Sequence, residues 1–352
     1  MISDNFFSSS SLCTYYCSTC KTYQNTHTLS HSHLPPSTQN MFHHLPQDNN
    51  PLSTNKTTTT TYISAMAPIS KECIYRWANV LKSKPTIIKD TFAYGSYNNL
   101  TNLLNNILEI DHKPNISKSW FQGFHFLYNN QLNLKLGSDG YDNYQAPVNE
   151  QGEQLYLRRL WARGEIDFFN SPSINSPIEV TETLKSVRII DESVLVSILR
   201  NFTSESQELL QESRTLTYTN ALYTPNENYY QLENYSGNGP TFHISSIDLL
   251  KYSMLTYNLH KIHIDANYCR SIEDLPNTIV HGPLQVSLLL YYFAIKHPEL
   301  KPKNFKYRTY APIFINEEIS IQIDEVSENC YSLGIISKES GKVYIQGKLS
   351  TE

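Results

Sequence analysis

Tyr252-Ser-Met-Leu-Thr-Tyr-Asn-Leu-His-Lys-Ile-His-Ile-Asp265, and beyond it His281-Gly-Pro-Leu-Gln-Val-Ser-Leu-Leu-Leu-Tyr-Tyr-Phe293, are the stretches around which the chain is organised. The first sets two histidines, an asparagine and an aspartate within eight positions beside an apolar run. The second reads as a buried helix. Pro283 suits a first helical position, where its missing N–H costs nothing. Leu284, Leu288, Tyr291, Tyr292 and Ile295 follow helical spacing, while Val286, Leu289, Leu290, Phe293 and Ala294 leave almost no polar face. A helix apolar all round is normally wrapped by other elements. Gly282 stands at its start, where a backbone N–H and the helix dipole can hold a developing oxyanion.

The rest of the chain sets limits. At 352 residues there is room for two domains of ordinary size. Residues 1–70 are rich in Ser, Thr, Asn and His, hold only Asp4 and Asp48 as acids, and show no sustained apolar period. Such a segment buries too little to offset chain entropy, so a disordered tail is expected. Cys13, Cys17 and Cys20 with His27, His31 and His33 invite a zinc reading, but they lack two paired knuckles, so no metal is assigned. Cys73, Cys269 and Cys330 are scattered and suggest a reducing compartment. No run reaches the roughly twenty apolar residues of a membrane span. A net charge of −5 argues against nucleic acid as a partner.

Lys71 to Asn106 reads as helix with interruptions. The aromatic segment Ser119–Tyr128 reads as core packing, and residues 130–152, with Asp139-Gly140, as a loop. Alternating patterns predict strands over Leu160–Phe168, Ile178–Ile190, Val194–Phe202 and Arg214–Ala221. Residues 224–240 read as a connector between halves. A helix over Ser246–Tyr257 is expected, capped by Ser245 with Asp248 in its first turn. After the buried helix, Ile319–Ile323, Tyr331–Ile335 and Val343–Leu349 form a strand meander. Helices followed by long antiparallel strands make an α+β signature. The second half thus repeats the logic of the first. The expected organisation is a 1–70 tail, an N-terminal domain over 71–223 and a C-terminal domain over 241–352.

The two opening stretches resemble the MaoC-like family of R-specific hydratases and dehydratases, whose fold is the hot-dog. Its signature ends in Asp-x-Asn-Pro-Ile-His-x-Asp and is followed by a His-Gly that opens the central helix. Ile262-His263-Ile264-Asp265 matches the signature's end and His281-Gly282 the helix start. The branch containing type 2 hydroxyacyl-thioester dehydratases and mesaconyl-CoA-type hydratases is similar over Tyr252–Asp265 and over Arg158-Arg-Leu-Trp-Ala-Arg-Gly164. The resemblance covers about Ser119 to Leu349 and implies a double hot-dog, each curved antiparallel sheet wrapped on a helix. It further implies a hydro-lyase that converts (3R)-hydroxyacyl thioesters to trans-2-enoyl thioesters, with acyl carrier protein or coenzyme A as carrier. The implied setting is mitochondrial matrix fatty acid synthesis, with which the acid-poor tail is compatible. A homodimer is an assembly open to such a chain.

That reaction needs a base for the C2 proton, a donor for the thioester oxygen and a proton for the leaving hydroxyl. His263 is the candidate base, since imidazole can take and return a proton near neutral pH. Gly282 N–H is the candidate oxyanion donor. Asn258 stands where many relatives have an acid; an amide can orient water or hydroxyl but cannot take a proton. His260, Asp265, His281 and Ser253 are expected around the substrate, with Asp265 open to orienting either His263 or His260. No cofactor is called for. The alternatives left open are a hydratase of an enoyl-CoA or mesaconyl-CoA type and a non-catalytic acyl-thioester-binding protein.

Overall fold

Ten strands join in one antiparallel sheet in a computed structural model of the chain, which describes residues 69–111, 122–128, 135–225, 229–231 and 239–352. The N-terminal half contains α1 (Lys71–Lys82), β1 (Thr86–Thr91), α2 (Tyr94–Leu108) and the strands β2 (Arg158–Phe168), β3 (Pro177–Ile190), β4 (Ser193–Ser204) and β5 (Gln207–Thr219). The C-terminal half contains β6 (Thr241–Phe242), α3 (Ser246–Leu255), α4 (Ala266–Ile272) and α5 (Gly282–Lys296). It closes with β7 (Pro302–Thr309), β8 (Ile319–Ser327), β9 (Cys330–Ser337) and β10 (Val343–Thr351).

Strand order is β1-β3-β4-β5-β2-β7-β10-β9-β8-β6. From either edge inward, the order is a short strand, a three-stranded meander and a seam strand. A fifteen-residue helix, α2 or α5, lies in sequence between the edge strand and the seam strand of its half. The two halves therefore repeat one plan and meet where β2 pairs antiparallel with β7, Ile166 opposite Phe305. This is the double hot-dog expected from the sequence.

The central helix behaves as its composition requires. Leu284 through Phe293 are all buried in α5, and the apolar ones among them share one core with α2 and the sheet. Each such aliphatic or aromatic side chain contributes about 1.5–3 kcal/mol on burial. Helix α3 starts as predicted: Ser245 accepts from the Asp248 N–H while the Asp248 carboxylate accepts from the Ser245 N–H, a reciprocal capping box. A second cluster sits under α1, whose Ile74, Trp77 and Ala78 pack with Leu184, Val196, Leu216 and Tyr218.

The stretch Lys71–Asn106 contains more than interrupted helix. Pro85 cannot continue α1, and Thr86-Ile-Ile88 alternates exposed and buried as edge strand β1, paired with β3. Within the aromatic segment, Phe124–Tyr128 form a buried 3-10 turn. The cysteine–histidine cluster at 13–33 lies outside the described residues, as does nearly all of the 1–70 tail. Among the described residues no helix is long and apolar enough to cross a membrane.

Four charges occupy inward positions of the N-terminal sheet. The Arg200 guanidinium donates from Nε to Glu182 at 2.6 Å and from Nη1 to Glu212 at 2.8 Å, all three side chains being essentially buried. Tyr144 and Gln145 also donate to Glu182, and Arg214 lies 3.5 Å from it. The arginines hold both carboxyls below their usual range against the opposing effect of burial.

Candidate active site

The histidine stretch is placed by the way α3 ends. Tyr257 takes a left-handed conformation at φ 51°, the Asn258 N–H returns to the Ser253 carbonyl and the Tyr257 N–H to that of Met254. This Schellman-type ending turns the chain out of the helix. Asn258 Oδ1 then accepts from the His260 N–H at 3.1 Å, and a 3-10 turn over Lys261–His263 follows. Ile279, two residues before His281, donates its N–H to the Ile262 carbonyl, drawing the turn against the start of α5.

Three imidazoles meet there. The His263 ring stacks on that of His281 with centroids 3.7 Å apart and planes 22° apart, and His260 approaches edge-on at 5.6 Å. His263 Nδ1 lies 2.8 Å from the Ile279 carbonyl oxygen. A carbonyl can only accept, so Nδ1 carries the proton and Nε2 keeps a free lone pair. Burial lowers the His263 pKa to about 4, outweighing the opposing effect of the Ile279 bond. Burial also pushes His260 and His281 down, helped at His260 by the Arg159 charge. All three rings are therefore neutral near pH 7, and His263 is the most open of them at 8% exposure.

The other expected site residues have partners of their own. His281 and Ser253 are fully buried and bonded to each other at 3.0 Å, with the His281 ring stacked on that of His263. Asp265 faces neither histidine: its Oδ1 accepts from the Asn267 and Tyr268 N–H groups at 2.9 Å and caps α4. His260 does belong to the cluster. Gly282 begins α5 as predicted, and a Cβ there would overlap the Trp161 ring, so the close approach of β2 requires glycine.

Trp161 shows that the N-terminal half reaches the site, a contribution not visible in the signature stretch. Its Nε1 donates to the Tyr307 hydroxyl at 3.1 Å across the seam. Arg158 binds Glu273 at 2.6 Å at the end of α4, and Arg159 pairs with Asp139. The turn carrying Asp139 is locked onto the histidine stretch. The Lys261 N–H donates to the Asp139 carbonyl at 2.8 Å, and a Cβ on Gly140, whose φ is +80°, would strike the Leu259 carbonyl. The Arg158–Gly164 segment carried a sequence resemblance; the Asp139-Gly140 turn read only as loop.

Residues 123–315, just over half of the chain and spanning the seam strand and the histidine stretch, match the family model described as hydroxyacyl-thioester dehydratase type 2. The mitochondrial hydroxyacyl-thioester dehydratase type 2 of Saccharomyces cerevisiae is 29% identical over 68% of this chain and 89% of its own length. That of Schizosaccharomyces pombe is 27% identical over 58% of this chain and 77% of its own length. A MaoC-like dehydratase from Phytophthora capsici superposes with a TM-score of 0.60 at 11% identity over 81% of this chain and 98% of its own, a likeness of fold. With the family match running through both the seam strand and the histidine cluster it supports, the chain belongs to the hydroxyacyl-thioester dehydratase type 2 family.

Proposed function

We propose that the chain dehydrates (3R)-3-hydroxyacyl thioesters to trans-2-enoyl thioesters in mitochondrial fatty acid synthesis, with acyl carrier protein or coenzyme A as carrier. The observation that carries this reading is the His263 ring, fixed through Nδ1 by the Ile279 carbonyl and left with a basic Nε2 beside the start of α5. His263 Nε2 takes the C2 proton. Charge that builds on the thioester oxygen meets the Gly282 N–H and the positive end of the helix dipole. As the C3–O bond breaks, the imidazolium returns its proton to the departing hydroxyl, which leaves as water from the same face. The C2–H electron pair becomes the C2–C3 double bond, so the reaction is redox-neutral and balances without a cofactor. Read backwards, the same steps hydrate an enoyl thioester.

Burial of His263 favours the neutral base before reaction and makes the imidazolium a strong acid afterwards, which suits a group that must return its proton. Asn258, spent on the His260 N–H through Oδ1, retains its NH2 to orient the leaving hydroxyl. The mitochondrial setting rests on the names of the two yeast relatives and on the acid-poor 1–70 segment. Replacement is the test. Expressed in S. cerevisiae cells lacking their own type 2 dehydratase, the full chain is expected to restore the missing activity in the mitochondrial fraction. A folded, imported chain that restores nothing would count against the reading.

A further inference from the structure

The base assigned above receives a proton in a buried place, and the imidazolium it becomes needs a counter-charge. Asn258 is an amide and Asp265 is spent capping α4. The carboxylate that reaches the histidines comes instead from the other half of the chain: Asp139 Oδ2 lies 3.6 Å from His260 Nε2. Asp139 is 4% exposed, and three restraints fix it. Arg159 of β2 donates to Oδ2, the Tyr141 N–H donates to Oδ1 at 3.1 Å, and the backbone carbonyl is held by Lys261. The Arg159 guanidinium in turn lies 4.1 Å over the Tyr141 ring, and that ring packs against His260.

The geometry points to Asp139 as a positioning residue of the dehydration site. Delivered by the N-terminal half and aimed by Arg159, it sets the His260 ring against His263 and offsets the positive charge that His263 gains when it takes the C2 proton. This rests on the reading of His263 as base. It also gives the N-terminal half a chemical task, because the C-terminal half alone lacks the charge.

The groups facing this corner are Asp139 and Tyr141 from the turn, Arg159 from β2, Lys261 and His263 from the 3-10 turn and His281 from the start of α5, with Tyr218, Arg214, Tyr268 and the Arg158–Glu273 pair beyond them. Removing the carboxylate leaves the Arg159 charge unopposed and disfavours the imidazolium. The acid limb of the kcat/KM profile, where His263 protonates, must then move to lower pH.

The test compares the full-length protein with Asp139→Asn, which keeps an oxygen for the Tyr141 N–H, and with Asp139→Asn/Arg159→Gln, which removes both charges. Asp139→Asn is expected to lower kcat by about 10- to 100-fold, with KM changed less, and to shift the acid limb downward. The double variant is expected to keep the loss in kcat while its limb returns toward wild type. Wild-type kcat in the folded double variant overturns the proposal even if Asp139→Asn does not fold. So does an Asp139→Asn protein whose limb stays in place, since a merely structural role would lower the rate without moving it. If His263→Ala keeps full activity, the base assignment itself has failed; if His263→Ala is inactive and the Asp139 variants are normal, only this inference has.

Discussion

His263→Ala is expected to fold as the wild type does and to lose about 10²–10⁴ in kcat, the usual range for a positioned acid–base group, with a smaller change in KM. The fold should survive because His263 lies on a three-residue 3-10 turn beside α5, while the apolar packing that holds α5 runs from Leu284 to Phe293. The substitution releases one imidazole stack and the Nδ1 bond to Ile279, yet the backbone bond from Ile279 to Ile262 still ties the turn in place. The rate should collapse because the other groups of the cluster are engaged elsewhere: His260 Nε2 lies 3.6 Å from the Asp139 carboxylate, on the side of the N-terminal half. His281 is fully enclosed, with Nε2 on Ser253, and Asn258 cannot accept a proton. Circular dichroism together with thioester hydration rates for the two proteins checks both halves of this expectation.

Arg200→Ala is expected to cost about 3–5 kcal/mol of stability, the price of breaking a buried ion pair. Both guanidinium bonds end on carboxylates that are themselves buried, so truncation leaves Glu182 and Glu212 with Arg214 as the remaining arginine. His125 stands 3.8 Å from Glu212, but burial lowers its pKa to about 4 and keeps it neutral near pH 7. Against a typical total of about 5–15 kcal/mol, that loss is large. The exposed pair Lys89–Glu179, 3.5 Å apart, is the control: Lys89→Ala should change stability by at most about 1 kcal/mol. Urea unfolding of the three proteins reads the difference as a shift in midpoint. An Arg200→Ala midpoint equal to that of wild type would show that the network is not under the stress its burial implies.

Sequence disclosed the elements whose causes are local. The α5 helix follows from an unbroken apolar run with a proline at its start, α3 from a capping box, and the meanders from two-residue alternation. His263 stands out through the resemblance of Ile262–Asp265 to the MaoC-like signature, and Gly282 through its place at the start of an apolar helix. Elements that depend on pairing were harder to see. Strand β1 is six residues between two helices, and Pro85 was its only announcement. The charges Glu182, Arg200, Glu212 and Arg214 interrupt inward-facing positions of otherwise alternating strands. That interruption is readable, but their mutual pairing depends on register: Glu182 faces Arg200, and Arg200 faces Glu212, across adjacent strands. Asp139 reaches His260 across 121 positions of sequence, and nothing around Asp139-Gly140 distinguishes it from an ordinary turn. Asp265 illustrates a local cause that competes with the site: an aspartate just before a short helix serves as its cap, whatever lies two residues before it.

The most direct measurement is made on the purified wild-type chain with crotonyl-CoA, following loss of the enoyl group and the configuration of the 3-hydroxy product. Hydration that yields the (3R) product, reverses when the (3R)-hydroxyacyl thioester is supplied, and falls with the folded His263→Ala protein is the expected result. Tight binding of the thioester by folded protein without turnover in either direction would contradict it and leave an acyl-thioester-binding protein in its place.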